Sequence, residues 1–214
     1  MSRNPALFLL PAVAVQLLGP EAERWRDIRL DRRKIVWFWA GLVAVLSLMA
    51  YYNWARFGNP LENGYQRLWL TDPLGDYGKR PLFGLAYMAH DIPFYLTAPP
   101  VWLGRFPWYG PGLDGMSMLI VTPVLFLLPW VRYRKPANLA ALVGIVLVQA
   151  LYFVFAGDGR NQFGMRYTLD YLVMVLLLVA SLTRERFGLG PRILTAIGVL
   201  VEIWGFVGWH AMGW

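Results

Sequence analysis

Apolar residues along this chain fall in long runs that lack the alternation of a strand. Ile35–Tyr52, Met116–Val131, Asn138–Ala156, Tyr167–Thr183 and Ile193–Met212 carry no Lys or Arg between their end residues. Each approaches or exceeds the length a helix needs to cross about 30 Å of hydrocarbon. A backbone inside hydrocarbon must satisfy its own polar groups, so apolar runs of this kind become helices or barrel strands. Without a period of two, the pattern predicts helices. The expected fold is all-α: a polytopic transmembrane helical bundle of five spans, with a sixth, short span at the N-terminus. Residues 1–214 then form a single integral membrane domain.

Charge assigns the runs a direction. Arg24, Arg26, Arg29, Arg32, Arg33 and Lys34 precede the first run. Arg132, Arg134 and Lys135 lie between the second and third, and Arg184, Arg186 and Arg192 between the fourth and fifth. These are 12 of the 20 basic residues, and the loops that hold them alternate with the others. The positive-inside rule makes them cytoplasmic, so residues 53–115, the loop 157–166 and the C-terminus face outward. Tyr51, Tyr52 and Trp54 then lie at the outer end of the first span, and Trp130 and Tyr133 at the inner end of the second. Both groups suit the headgroup level, where an aromatic side chain can be apolar at one end and hydrogen-bonded at the other.

Composition agrees. Of 214 residues, 57% are hydrophobic and only 15% charged. Soluble domains run near 45–50% apolar and about 25% charged. A net charge of +7 would suggest nucleic acid in a soluble protein, but topology accounts for the basic residues here, so no nucleic-acid partner is expected. The absence of cysteine excludes disulfides, thiolate metal sites and cysteine nucleophiles. No metal motif, phosphate-cradling glycine loop or nucleophile elbow is present, and neither a metal site nor a cofactor is expected.

Residues Ala6–Gly19 allow two readings. Arg3 and Ala12-Val13-Ala14 resemble a signal peptide with its cleavage site. Cleavage there would place the basic run 24–34 outside, against the charge pattern, so a short helix entering the membrane from outside is expected. Residues 21–34 mix acids and bases and read as a solvated or interfacial cytoplasmic helix.

The outward segment 53–115 has its own character. It contains eight of the 15 prolines, which forbid one long helix. Within it, Leu82–Leu103 is apolar but broken by His90, Asp91, Pro93, Pro99 and Pro100. A full span there would bury His90-Asp91 and reverse every later helix. A helix in the outer interface, or a re-entrant hairpin, is expected instead.

Three stretches carry a resemblance. The first is Tyr52-Asn53-Trp54-Ala55-Arg56-Phe57-Gly58-Asn59-Pro60-Leu61-Glu62-Asn63-Gly64-Tyr65. The second is Ala89-His90-Asp91-Ile92-Pro93-Phe94-Tyr95-Leu96-Thr97-Ala98-Pro99-Pro100, followed by Gly115-Met116-Ser117-Met118-Leu119. The third is Asn161-Gln162-Phe163-Gly164-Met165-Arg166-Tyr167-Thr168-Leu169-Asp170. In this order they resemble the C-terminal half of bacterial GT-C-type membrane glycosyltransferases, relatives of protein mannosyltransferases, over roughly residues 35–185. The resemblance implies a bacterial plasma membrane protein, a sugar donor on a polyprenyl phosphate, and chemistry at the outer face. In that family the catalytic carboxylate lies in the first outward loop. The acids before Ile35, namely Glu21, Glu23, Asp27 and Asp31, fall on the cytoplasmic side. The chain therefore resembles the scaffold half, and no catalytic residue is assigned within it. The base is expected from a missing N-terminal half or a partner chain.

Candidate substrate-binding residues follow, each with a structural alternative. Arg166 and Asp170, four apart, would share a helix face. They form either a phosphate-binding arginine held by a carboxylate or an ion pair that neutralises Asp170. Arg160 is a second phosphate contact or a solvated loop residue. Arg56, Asn59, Glu62 and Tyr65 surround a Gly-Asn-Pro turn. They form either a shelf for sugar hydroxyls or a fold-defining turn with Arg56 and Glu62 paired. His90-Asp91 is a proton-transfer pair or a hydrogen-bonded structural pair. Glu202 and Gln149 lie inside spans, where polar groups mark function or helix contacts. The function expected is a glycosyltransferase-like membrane protein using polyprenyl-phosphate sugar. The alternatives are a non-catalytic membrane subunit and, less favoured for want of an internal repeat, a small transporter.

Overall fold

The computed structural model describes residues 4–19, 21–29, 31–62, 81, 83–112, 114–156, 163–183 and 188–212. The chain there is mostly helical: α1 (Leu10–Leu18), α2 (Arg32–Phe57), α3 (Met88–Thr97), α4 (Met118–Val121), α5 (Pro136–Phe153), α6 (Leu172–Thr183) and α7 (Leu189–Met212). Turns of 3-10 helix cover Asn4–Leu9, Trp25–Asp27, Leu85–Tyr87, Pro123–Trp130 and Arg166–Asp170. One small antiparallel hairpin, β1 (Val101–Trp102) with β2 (Tyr109–Gly110), pairs Val101 with Gly110 and Trp102 with Tyr109. The sequence pattern does not predict it.

Among the described residues, three helices can cross a membrane by length and composition: α2, α5 and the Leu189–Gly208 part of α7. At about 1.5 Å per residue they measure roughly 39, 27 and 30 Å, against about 30 Å of hydrocarbon. They overlap the expected spans Ile35–Tyr52, Asn138–Ala156 and Ile193–Met212, with ends displaced by two to five residues.

Helix α2 is bounded by local chemistry. Asp31 caps its start, its carboxylate accepting from the amides of Arg33 (2.9 Å) and Lys34 (3.4 Å). Gly58 ends it in the left-handed region at φ 73°, where its amide reaches the Trp54 carbonyl at 2.8 Å. Between these caps α2 has no charged residue from Ile35 to Tyr52 and is almost uncovered: no residue of its most apolar 18-residue window is buried. Trp37 and Leu48 are each 69% exposed. Its first turns lean on α1, where Ala14, Leu17 and Leu18 face Lys34, Ile35, Phe38 and Trp39. The Lys34 ammonium donates to the Leu17 carbonyl at 3.3 Å.

The core is built on α5. Ala141, Ile145, Val148 and Tyr152 recur at helical spacing and are all buried. They pack with Leu9 and Ala12 of the N-terminal segment and with Tyr171, Met174, Val175, Leu178 and Val179 at the start of α6 and along it. At Gly144 an added Cβ would lie 3.0 Å from Leu9 Cδ2, so the glycine permits a close approach of the two segments.

Two expected spans take a different form. Met116–Val131 is not one helix: α4 ends at Val121 and 3-10 helix follows from Pro123 to Trp130. Thr122 leaves the helical region at φ −125°, ψ 71°, as residues before proline do. Pro123 and Pro129 then remove amide donors from the next turns. In Tyr167–Thr183 the α-helix begins only at Leu172, after the 3-10 turn, and its 12 residues span roughly 18 Å. In the segment 53–115, α3 is ten residues long with Pro93 inside it, a short helix rather than a span.

Contacts sort the connections between the two ends of α5. Where α5 begins, Glu23 meets the Lys135 ammonium at 2.6 Å and Gln16 donates to the Ala137 carbonyl at 3.2 Å. The Asn138 amide closes the basic turn on the Arg132 carbonyl at 3.0 Å. Where α5 ends, the Gly84 amide donates to the Val154 carbonyl at 2.8 Å and Phe83 pairs with Phe155. Segment 21–34 therefore shares one end with the basic turn 131–135, and the chain before α3 joins the other.

Candidate functional site

The end of α5 and the turn before α6 form a polar cluster inside the apolar core. Gly164 pairs by backbone with Met116, so close to Val121 that a Cβ at Gly164 would lie 2.7 Å from Val121 Cγ2. The 3-10 turn Arg166–Asp170 follows. Tyr152 of α5 donates its phenol hydrogen to the Asp170 carboxylate, and its ring stacks on Tyr167 with centroids 4.4 Å apart. One turn earlier on α5, Gln149 accepts from the Tyr171 phenol at 2.6 Å and donates to Met165 Sδ at 3.6 Å. Gln149 is buried, so these bonds supply what water would otherwise give.

The turn that carries Arg166 and Asp170 is 3-10 helix rather than α-helix. Residues three apart align in a 3-10 helix, whereas residues four apart align in an α-helix. Arg166 and Asp170 therefore do not share a face in the way an α-helix would arrange them. Asp170 is held by Tyr152 across the helix interface. Of Arg166 the backbone alone is described, and it opens the turn. Arg160 and Tyr65 lie outside the described residues.

A second cluster sits at α3. His90 Nδ1 lies 3.0 Å from Asp91 Oδ1, the carboxylate being buried and the imidazole exposed. The His90 ring stacks on Phe94 at 5.6 Å and 12°. Helix α3 is tied to the segment after the hairpin by Ser117, which donates to the Leu96 carbonyl at 2.6 Å and accepts from the Leu119 amide at 3.2 Å. Its own amide reaches the Ala98 carbonyl at 3.0 Å. The expected His90–Asp91 pair therefore forms, on a helix anchored to the start of α4.

The residues at the end of α2 are engaged locally. Arg56 donates to the Tyr52 phenol at 3.0 Å and lies 5.1 Å from the Phe57 ring centre. Asn59 Oδ1 accepts from the Leu61 amide at 3.0 Å, an Asx turn, and the buried Asn53 donates to the Pro60 carbonyl at 3.2 Å. Glu62 closes the turn through its amide on the Asn59 carbonyl at 3.3 Å. The Gly-Asn-Pro turn is thus closed by its own hydrogen bonds, and Arg56 is folded back along its own helix.

The second and third of the three resembling stretches meet through Met116 with Gly164, and Tyr95 of the second stacks on Phe153 at the end of α5 at 6.4 Å. The Tyr171 phenol also lies 3.8 Å from Met118 Sδ. Gln149 and Glu202 do not form a pair: one is buried on α5, the other exposed on α7. Tyr152, Tyr167 and Tyr171 are the site residues that sequence reading passes over. Tyr152 follows Gln149 by three on one helix, a polar pair at helical spacing that signals an internal contact. Among the described residues no three His, Cys, Asp or Glu side chains gather to hold a metal. Comparison with protein-family models, with curated proteins and with solved structures gives no match.

Proposed function

We propose that this chain is an integral membrane protein forming the scaffold half of a GT-C-like transferase of polyprenyl-phosphate sugars. Five segments cross the bilayer, with the N-terminal segment entering as a sixth. Basic turns lie in the cytoplasm, and the segment 53–115 and the C-terminus lie outside. The observation that carries the membrane reading is α2, a 26-residue helix capped at both ends whose stretch from Ile35 to Tyr52 has no charged residue on any face. In lipid that exposure costs nothing, and Arg32, Arg33 and Lys34 at its start can reach the headgroups. The proline-broken segment 118–130 crosses as well, with its irregular backbone covered by α6 and α7, the situation in which broken helices are tolerated at membrane depth.

The glycosyl part of the reading rests on the three resembling stretches, two of which adjoin at one end of the bundle. Arg166 opens a turn held rigid by Tyr152 and Tyr167, a suitable mount for an arginine that binds the carrier phosphate. In this reading the catalytic base comes from a partner chain. The second reading, a non-catalytic membrane subunit, is favoured by Asp170, whose carboxylate is occupied by Tyr152 in a structural bond.

The test is binding of a short-chain polyprenyl phosphate to the detergent-solubilised chain, compared with Arg166→Ala. Saturable binding lost in the variant is the expected result. Binding that is absent, or unchanged in Arg166→Ala, removes the transferase reading and leaves the subunit.

A further inference from the structure

Of the three membrane-length helices, α7 alone carries an acid, Glu202. Glu202 lies 13 residues after Leu189 and 10 before Met212, about 20 and 15 Å along the axis. An ionisable side chain at that depth is costly without a partner. Among the described residues none bonds to it, and the apolar runs of the chain hold no Lys or Arg to pair with it.

The face that α7 turns to the bundle is a different one. Leu194, Ile197 and Val201 line a groove with the segment 117–126. Trp204 donates its indole hydrogen to the Tyr109 carbonyl at 3.1 Å, and a Cβ at Gly208 would lie 3.7 Å from Pro107 Cγ. Thr195, Val199, Glu202 and Phe206 fall outside this face, and all four are exposed. They follow one another at intervals of four, three and four, the spacing of a two-helix seam.

Depth selects the occupant of that seam. Copies of one chain share one orientation in a membrane, so a second α7 runs parallel to the first. About a two-fold axis along the membrane normal, each seam residue faces its own counterpart at its own depth. Glu202 then meets the partner's Glu202. A carboxylic acid accepts through one oxygen and donates through its proton, so two of them satisfy each other with no cation. Any other helix would have to bring a matching group to the same level.

We propose that α7 is the interface between two copies of this chain, with Val199 and Phe206 packed on their counterparts and a reciprocal carboxyl pair at Glu202. The proposal rests on α7 crossing the bilayer and is independent of the transferase reading.

The chain has no cysteine, so Val199→Cys and Leu200→Cys each supply a single thiol. Both positions are exposed, but only Val199 lies on the seam. In carbonate-washed membranes a membrane-permeant oxidant should cross-link Val199→Cys into a dimer and leave Leu200→Cys monomeric. The purified chain in phosphatidylcholine liposomes should pass from dimer to monomer as lipid is added. Glu202→Leu, apolar at a lipid-facing position, should need about tenfold more protein per lipid for half-dimerisation. Glu202→Gln, whose amide both donates and accepts, should dimerise within about threefold of the unsubstituted chain. Equal cross-linking at both positions, or undiminished dimerisation in Glu202→Leu, overturns the seam. A purified chain that stays monomeric overturns the second copy as its occupant. Glu202→Gln as weak as Glu202→Leu overturns the carboxyl pair. Release of the chain by the carbonate wash would remove the membrane reading itself, whereas a retained chain that fails to cross-link removes the dimer alone.

Discussion

Tyr152 and Asp170, 18 residues apart, join the end of α5 to the turn that opens α6 through a phenol–carboxylate hydrogen bond. The Tyr152 ring is at the same time stacked on Tyr167 inside that turn. Tyr152→Phe keeps the stack and deletes the donor. A hydrogen bond to a charged acceptor contributes about 1.5–3 kcal/mol, so the variant should unfold at clearly lower temperature in detergent. An unchanged melting temperature would show that the carboxylate does not depend on this phenol.

Gln149 and Tyr171 form the second tie between the same two elements, at 2.6 Å and fully inside the core. Tyr171→Phe should cost about 1–3 kcal/mol, because the Gln149 carbonyl loses its buried donor. The double variant with Gln149→Leu should cost less than the sum of the two single changes, by about 0.5–2 kcal/mol. Strict additivity in thermal or denaturant unfolding would mean that the two side chains do not act as a pair.

Close packing at the bridge between Met116 and Gly164 gives a steric prediction. A Cβ at Gly164 would lie 2.7 Å from Val121 Cγ2 and 3.0 Å from Val121 Cβ. Valine is stiff about χ1 and has little room to turn away. Gly164→Ala should therefore destabilise the fold by about 1–3 kcal/mol. Gly41→Ala inside α2, where nothing lies within 4 Å, should be neutral or stabilising by up to about 1 kcal/mol. Equal melting temperatures for the two variants would contradict the packing described here.

What the sequence discloses depends on how far apart the interacting residues lie along it. Helices α2, α5 and α7 are legible because an apolar run without Lys or Arg is a local property. The caps Asp31 and Gly58 are legible for the same reason. The interruption at Thr122 is local too, yet Pro123 and Pro129 are masked by the oiliness of their neighbours when the run is read for length alone. The 3-10 turn at Arg166–Asp170 is less legible, since spacing by four suggests an α-helix until the packing of Tyr167 against Tyr152 is known. The cluster of Gln149, Met165 and Tyr171 cannot be read from local pattern, because its members come from α5 and from the chain before α6. The His90–Asp91 pair is adjacent and was readable.

The account rests on two ends of the bundle facing opposite sides of a membrane. Because the chain has no cysteine, single-cysteine variants need no background changes. Arg134→Cys lies in the basic turn, and Asn59→Cys in the turn after α2; both positions are exposed. In intact bacterial cells a membrane-impermeant maleimide should label Asn59→Cys and should reach Arg134→Cys only after the membrane is opened. Labelling of both from the outside, or of Arg134→Cys alone, would contradict the membrane topology and the outward site built on it.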